Sequence, residues 1–175
     1  MTATSKYLYR DSTSGQVQEG QPQTVSAGAG SANLLFQLNS SGTIDPSFMP
    51  PGIVPDTFNA NASGSISVGD MVYVTAGGLI ARASAAAAGN PAMGYSLTAV
   101  TTGNPAVMYM DGRITVLSGL TVGARYYLSA STPGGITATP VSGAGATSLH
   151  QYVGTAVSAT TLDFDRISDA IVLVA

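Results

Sequence analysis

The fold is decided by a stretch that occurs twice, as VGDMVYVTAGGLIA at residues 68–81 and as VGARYYLSASTPGGITA at residues 122–138. In both copies a Val-Gly pair leads into a run of large apolar residues, and Gly77-Gly78 lies opposite Gly134-Gly135. Short β-branched and aromatic runs between glycine turns are typical of paired strands. The copies start 122 − 68 = 54 residues apart. The pattern predicts an internal duplication with pseudo-repeats at about 66–117 and 120–175; chance similarity in an Ala/Gly/Ser/Thr-rich background is the alternative.

Further runs of this kind occupy residues 63–175. The run at 107–110 is followed by Asp111-Gly112, and the run at 71–75 by Gly77-Gly78, so both predict hairpins with type I′ turns, which need positive φ at both central residues. Helix propensity is confined to residues 83–88, and that stretch is too short to be stable alone. The sequence therefore predicts an all-β, small sandwich- or barrel-like domain of eight or nine strands. The remaining runs lie at 113–117, 125–130, 136–139, 149–158 and 170–174.

Residues 1–62 differ from the rest of the chain. They are polar, contain a Gly28-Ala29-Gly30 breaker, and are dense in proline, which prevents a continuous helix or a central strand. We predict an extended N-terminal arm with little core, followed by the β-domain at 63–175. The arm's apolar side chains are candidate contacts with a partner, although Tyr7 and Tyr9 packing back on their own domain is an open alternative. These candidates are Tyr7, Leu8, Tyr9, Leu34, Leu35, Phe36, Phe48 and Met49.

The composition excludes several classes of protein. Only 6 + 9 = 15 residues are charged, or 9%, where soluble domains usually have about a quarter. Scattered cations and a net charge of −3 argue against a nucleic-acid partner. The absence of cysteine excludes disulfides and thiolate sites. No apolar run approaches the roughly 20 residues of a membrane span, and residues 1–10 lack a signal-peptide core, so we expect synthesis in the cytoplasm and no membrane partner.

The sequence predicts no catalytic, cofactor or metal site. His150 and Asp163 could contribute to a Ser-His-Asp set, but no Gly-x-Ser-x-Gly motif accompanies them. Asp163 and Asp165 would share one face of a strand and could bind calcium with Asp169, yet their spacing does not fit an EF-hand, so a solvated edge is predicted. Gly28-x-Gly30 lacks the third glycine of a dinucleotide loop. We therefore predict a protein that is not an enzyme.

The tyrosines are the remaining candidate residues. Five of them lie inside predicted strands, where their large rings would fill a core or a subunit interface. The candidates for this role are Tyr73, Tyr109, Tyr126, Tyr127 and Tyr152.

Three segments carry a resemblance to a known family. KYLYRD at 6–11, SAGAG at 26–30 and LNSSGTIDPSFMPPGI at 38–53 resemble the N-terminal region of tailed-phage head-fibre and capsid cement (decoration) proteins. Asn39 stands where Asp is usual there, and Phe48-Met49 where two aliphatic residues are usual. Residues 68–96 are similar to small β-barrel modules of cement proteins, and residues 120–137 resemble a module of phage head and tail fibres.

The resemblance implies a non-enzymatic virion protein without a cofactor. Its partners would be the major capsid protein and copies of itself in a homotrimer, and its place would be the exterior of the capsid, which it stabilises. Within that role, residues 1–62 would bind the capsid and clasp the trimer. The alternative is a receptor-binding tail-fibre segment that recognises host surface glycan, although such fibres usually have long repetitive shafts. An enzyme or another β-domain is the third possibility.

Overall fold

A computed structural model describes residues 6–32, 34–49, 55–86, 90–141 and 148–165, and the backbone of 171–173. The chain divides into two compact units, Met1–Val54 (unit 1) and Pro55–Ala175 (unit 2). Apart from two single-turn 3-10 helices, Gly28–Ser31 and Pro46–Phe48, the described regular elements are β-strands. The predicted all-β class is confirmed. Residues 83–86 form no helix, and residues 87–89 lie outside the described residues. No helix in the described part of the chain is long and apolar enough to cross a membrane.

Unit 1 contains one hairpin, in which β1 (Tyr7–Arg10) pairs antiparallel with β2 (Val17–Gly20). The Asp11 carboxylate closes the turn by accepting the N–H groups of Thr13 and Ser14 at 2.7 and 2.8 Å. None of the described residues of unit 1 is buried. The predicted lack of a core is therefore confirmed, whereas the hairpin was not anticipated from the sequence.

Unit 2 contains two five-stranded antiparallel sheets. The first has the order β3-β7-β6-β4-β5 and the second has the order β8-β13-β12-β9-β10; β11 pairs separately with β14. We call residues 55–111 module 1 and residues 112–165 module 2. The strands are β3 (Thr57–Asn61), β4 (Met71–Val74), β5 (Ile80–Arg82), β6 (Gly94–Tyr95), β7 (Pro105–Tyr109), β8 (Gly112–Ile114), β9 (Arg125–Leu128), β10 (Ile136–Thr137), β11 (Ser148–His150), β12 (Tyr152–Ala156), β13 (Leu162–Phe164) and β14 (Ile171–Leu173).

The two sheets repeat one strand order. Read from the β5 and β10 edges they are β5-β4-β6-β7-β3 and β10-β9-β12-β13-β8. The registers superimpose as well, because Val72 lies opposite Gly94 in module 1 and Tyr126 lies opposite Gly154 in module 2. The internal duplication predicted from the sequence is thus present in the topology.

The boundaries of the repeats differ from those predicted. β3 was assigned to the arm at 1–62 but pairs along its whole length with β7, so the arm ends before Pro55. β8 was assigned to the first repeat at 66–117 but pairs with β13 of the second sheet. Each repeat therefore begins one strand earlier than the aligned Val-Gly pairs suggested.

One predicted hairpin is confirmed and the other is wrong. β4 and β5 pair as expected, but through a five-residue loop at 75–79 in which Gly78 has a positive φ of 75° and Gly77 does not. β7 and β8 do not pair, because β7 already has β3 and β6 on its two edges. Gly112, with φ of 98°, instead turns the chain from the first sheet into the second.

Two apolar clusters form the core of unit 2. Alternate residues of β4 point to opposite faces of the sheet, so Met71 contributes to a cluster shared by both modules and Val72 to a second cluster within module 1. A single parallel bridge between Ala62 and Ile80 brings the end of β3 to β5. Neither sheet is closed into a barrel in the described residues. The sandwich-like alternative of the prediction is the one observed.

Candidate functional site

The exposed apolar side chains are concentrated in unit 1. Of the sixteen large apolar residues exposed in the described chain, ten lie in unit 1, although it is much the smaller unit. Exposed apolar side chains that are concentrated in one part of a chain are candidates for contact with a partner. The ten residues are Leu8, Tyr9, Val17, Val25, Leu34, Leu35, Phe36, Leu38, Ile44 and Met49.

The β1–β2 hairpin presents a different surface on each face. Tyr7 and Tyr9 share one face with ring centroids 5.9 Å apart, and the Tyr7 ring lies over Gly20, where a Cβ would be 2.6 Å from Cζ. The other face carries Leu8 and Val17, which are 70% and 69% exposed. An isolated two-stranded hairpin is marginally stable in water. We therefore expect the hairpin to become more stable when another surface covers it.

The rest of unit 1 is organised by polar turns. Asp45 accepts the backbone N–H and the hydroxyl of Ser47 at 3.0 and 2.6 Å, and these hydrogen bonds lower the pKa of the Asp45 carboxyl. The Ser47 hydroxyl in turn accepts the N–H of Ser26 at 2.8 Å. The Phe36 and Phe48 rings meet at 5.9 Å, which half-buries Phe48 but leaves Phe36 56% exposed.

The structure places the eight predicted contact residues as follows. Six are exposed, and Tyr7 and Phe48 are half-buried beside an aromatic neighbour. Four further exposed residues were not predicted, because they are single aliphatic side chains in polar surroundings rather than apolar runs. These four are Val17, Val25, Leu38 and Ile44.

The five predicted tyrosines divide between the core and an outer surface. Tyr126 is buried and its hydroxyl accepts the Thr121 N–H at 2.9 Å. Tyr73 and Tyr109 are half-buried against the shared cluster. Tyr127 and Tyr152 lie on the outer face of the second sheet. Their role at a subunit interface stays a prediction.

The most buried tyrosine was not among the candidates. Tyr95 is 2% exposed, stacks on Tyr109 at 5.7 Å, and meets Phe164 of module 2 edge-on at 5.3 Å. Its hydroxyl donates to the Asp111 carbonyl oxygen at 2.8 Å, and burial raises the pKa of Tyr95. Because β6 has only two residues, no run of apolar residues marked it as a strand.

An aromatic cluster lies on the outer face of module 2. The Tyr127 ring contacts His150 at 5.1 Å and Tyr152 at 5.9 Å, both edge-on. The Arg125 guanidinium carbon lies 5.9 Å from the centre of the Tyr152 ring, a cation–π geometry. The Tyr152 hydroxyl lies 2.6 Å from that of Thr155. We call Arg125, Tyr127, His150 and Tyr152 the outer-face cluster.

The residues considered for catalysis and metal binding are not brought together. His150 contacts Tyr127 and has Nδ1 3.3 Å from the Val141 carbonyl oxygen, whereas Asp163 pairs with Arg113 at 3.2 Å. Asp169, the third carboxylate of the calcium alternative, lies outside the described residues. Among the residues that are described, no three His, Asp or Glu side chains form a group able to bind a metal ion.

The joint between the modules is partly polar. Asp70 accepts the Ser67 N–H at 2.7 Å and lies against Gly134 of module 2, where a Cβ would be 2.6 Å from the Asp70 Cγ. Burial is the main cause that raises the pKa of Asp70, opposed by the Ser67 hydrogen bond and by Arg82. The folded state therefore holds the Asp70 proton more tightly than the unfolded state does.

We expect the Asp70→Asn variant to become more stable relative to the wild type as pH rises. A raised folded-state pKa contributes stability that is complete below the unfolded value of about 3.8 and is lost as pH rises through the folded value. Asparagine keeps an acceptor for the Ser67 N–H but has no charge to bury. Urea unfolding of both proteins between about pH 3.5 and 7 measures the difference. A wild type that gains on the variant with rising pH would contradict this assignment.

No protein-family model and no curated protein matches the chain.

Proposed function

We propose that the chain is a structural virion protein that binds the outside of a tailed-phage capsid and stabilises it as a homotrimer. The observation that carries the proposal is the contrast between the units: the buried apolar side chains described all lie in unit 2, and most of the exposed ones lie in unit 1. A unit that exposes apolar side chains and has no core of its own is stabilised when a partner's surface removes those side chains from water. The resemblance of residues 38–53 to head-fibre and cement proteins gives that partner its class.

The charge distribution suits a shell-bound protein. Unit 1 carries few charges, and Lys6 and Glu19 already pair with each other at 2.6 Å. Docking this unit therefore removes few uncompensated charges from water, which is the main electrostatic cost of burying a protein surface. Interfaces between proteins are likewise depleted of charge at their centres.

The size of the apolar surface explains why a trimer would be needed. Covering ten partly exposed side chains stabilises a complex by on the order of 10 kcal/mol, taking about 1 kcal/mol each. Association itself costs roughly 4–15 kcal/mol. One chain would consequently bind weakly, whereas three linked chains on a repetitive lattice bind tightly through avidity.

We predict that replacing Leu8, Leu35 and Phe36 together with serine in the full chain abolishes capsid binding. These side chains are 70%, 55% and 56% exposed, so the free protein loses little stability. If each contributes about 1 kcal/mol to the complex, affinity falls roughly 100-fold per chain. Co-sedimentation with capsids of the phage that encodes the chain measures the loss.

The matched control replaces three exposed residues of unit 2 with serine. These are Val116, Val122 and Val157, which are 44%, 65% and 42% exposed. This variant should sediment with capsids as the wild type does. Undiminished sedimentation of the unit 1 variant would contradict the proposal. Binding of the wild type to host surface glycan with none to capsids would instead identify a receptor-binding protein.

A further inference from the structure

The joint between the modules contains a loop that is ordered by its own hydrogen bonds. Loop 129–135 connects β9 to β10, and its Ser129 hydroxyl accepts the Thr132 N–H at 3.1 Å. Ser129 also donates its N–H to the Gly135 carbonyl oxygen at 3.0 Å, and the Gly135 N–H donates to the Thr132 carbonyl oxygen at 2.9 Å. The loop can therefore dock on module 1 as one preformed piece.

Three backbone hydrogen bonds hold this loop on module 1. The Gly134 carbonyl oxygen accepts the Met71 N–H at 2.8 Å, and the Gly134 N–H donates to the Ala83 carbonyl oxygen at 2.7 Å. The Ser129 carbonyl oxygen accepts the Ala85 N–H at 3.0 Å. Met71, Ala83 and Ala85 are each 0% exposed and belong to the apolar cluster that both modules share. Docking of the loop is thus linked to burial of that cluster.

A carboxyl group lies at the same contact. Asp70 immediately precedes β4, and its carboxylate accepts the Ser67 N–H at 2.7 Å. A Cβ added to Gly134 would be 2.6 Å from the Asp70 Cγ and 2.7 Å from Oδ1, so the loop backbone lies directly against the carboxyl. Docking therefore removes part of the carboxyl from water, which favours its uncharged form. Burial is accordingly the main cause that raises the pKa of Asp70.

Arg82 of β5 is the charged side chain that acts on Asp70 in the described part of the chain. Its attraction for the carboxylate opposes the effect of burial. Loop 129–135 contains no ionisable residue. Tyr95 of β6 donates its hydroxyl to the Asp111 carbonyl oxygen. The charge at this contact is therefore controlled by the protonation of Asp70.

We propose that loop 129–135 is a proton-controlled latch, which docks on module 1 most firmly when Asp70 is protonated and opens more often when Asp70 is charged. Opening returns the carboxylate to water and breaks the three backbone hydrogen bonds. The rest of the joint stays closed, because Gln151 holds Ala92 through two separate hydrogen bonds. The latch lies within unit 2, so it is independent of the proposed capsid contact of unit 1.

Proton binding and docking strengthen each other. A carboxyl whose pKa is higher in the docked than in the open state contributes most to docking below the open-state pKa, which is near the ordinary value of 3.8 for Asp70. That contribution is lost as pH rises through the docked-state pKa. Each factor of ten between the two acid dissociation constants changes the docking equilibrium tenfold.

Amide hydrogen exchange in the full chain, followed by NMR between about pH 4 and 7, tests the latch directly. Protection is the ratio of the intrinsic to the measured exchange rate at each pH. We expect the protection of the Met71, Ala85 and Gly134 amides to fall several-fold as pH rises, whereas that of the Ala92 amide, in the other part of the joint, falls less. In the Asp70→Asn variant, the protection of the three latch amides relative to Ala92 should not change with pH.

Two further variants separate the latch from a general effect of charge. Asp163→Asn removes an exposed carboxyl that pairs with Arg113, and it should leave the fall in protection as in the wild type. Arg82→Gln removes the attraction that opposes burial, so the fall should become larger. Equal loss of protection at Ala92 and at the latch amides would show that the whole unit opens and would overturn the proposal. So would latch protection that stays constant or rises with pH in the wild type.

Discussion

Replacing Gly154 with alanine is expected to destabilise unit 2 by about 3 kcal/mol or more, a large part of the roughly 5–15 kcal/mol that stabilises a domain. A Cβ on Gly154 would clash with the backbone carbonyl oxygen of Asp163 on the neighbouring strand β13. Backbone oxygen in a sheet cannot move aside as a side chain can. The φ of 155° at Gly154 adds strain for any residue other than glycine.

The duplication predicts a paired result at Gly94. This residue is the register counterpart of Gly154, and its Cβ would clash in the same way with the carbonyl oxygen of Tyr109 on β7. The Gly94→Ala variant should therefore be destabilised similarly, although somewhat less because it lacks the positive φ. The two modules thus have equivalent glycines where equivalent neighbouring strands approach each other closely, as expected if both modules pack in the same way.

Thermal unfolding followed by circular dichroism measures both effects. We expect the midpoint to fall by about 10 °C or more for each variant. Gly64→Ala is the matched control, since nothing lies within 4 Å of its Cβ position and its φ is not positive. Midpoints within a degree or two of the wild type for Gly94→Ala and Gly154→Ala would refute the strand packing described.

Replacing Gln151 with leucine is the change with the second largest expected effect. The Gln151 side chain is 3% exposed and joins the modules by two hydrogen bonds: its Nε2 donates to the Ala92 carbonyl oxygen at 2.8 Å, and its Oε1 accepts the Ala92 N–H at 2.7 Å. Leucine has a similar volume but leaves both backbone groups buried without a partner. At about 1–3 kcal/mol for each of the two groups, the loss is roughly 2–6 kcal/mol.

The Gln151→Glu variant adds a pH dependence that a loss of packing would not. A carboxylate can accept from the Ala92 N–H but repels the Ala92 carbonyl oxygen, so the folded state favours the protonated acid. Its stability relative to the wild type should therefore be lowest at neutral pH and recover as pH falls through the raised pKa. The control is Asn59→Asp at an exposed position of β3. A Gln151→Glu deficit that is constant from pH 4 to 7 would contradict the buried pairing.

The positions of many strands could be predicted because short apolar runs between turn residues are a local signal in the sequence. Which strands pair with each other could not be predicted in this way. The runs at 107–110 and 113–117 were predicted as strands, and the structure has strands at Pro105–Tyr109 and Gly112–Ile114, so that residues 115–117 are not in a strand. β7 pairs with β3, which lies in a segment that proline content had assigned to the arm. Pairing depends on which edge of each strand is free, and that is a property of the whole sheet. The sequence did contain a further local sign that the duplication extends upstream of the two Val-Gly pairs. Ser63-Gly64 precedes the first pair as Ser118-Gly119 precedes the second. Ile66 and Leu120, which follow these dipeptides, are both buried.

The candidate surfaces were predictable to a similar degree. Apolar residues in a proline-rich arm indicate contacts whatever the arm's conformation, so Leu35 and Phe36 could be named from the sequence. The use of each tyrosine could not, because Tyr73 and Tyr127 both lie in short strand-forming runs and occupy equivalent strand positions. Tyr73 packs against the apolar cluster shared by the modules, whereas Tyr127 contacts His150 and Tyr152 on the other side of the second sheet.

The small number of charged residues is consistent with the exposed apolar surface of unit 1. Only fifteen of the 175 residues are charged. The described part of unit 1 exposes ten large apolar side chains, and a partner that covers them would remove few charges from water. The proposed assembly with a shell and with copies of itself would account for a composition that is unusual for a free monomer.

Cryo-EM of the virus particles tests the central claim most directly. We predict density for this chain on the outer surface of the capsid, at three-fold or quasi-three-fold positions, with residues 1–54 in contact with the major capsid protein. Density confined to the tail, or shell-bound density in which residues 1–54 do not touch the capsid, would contradict the account.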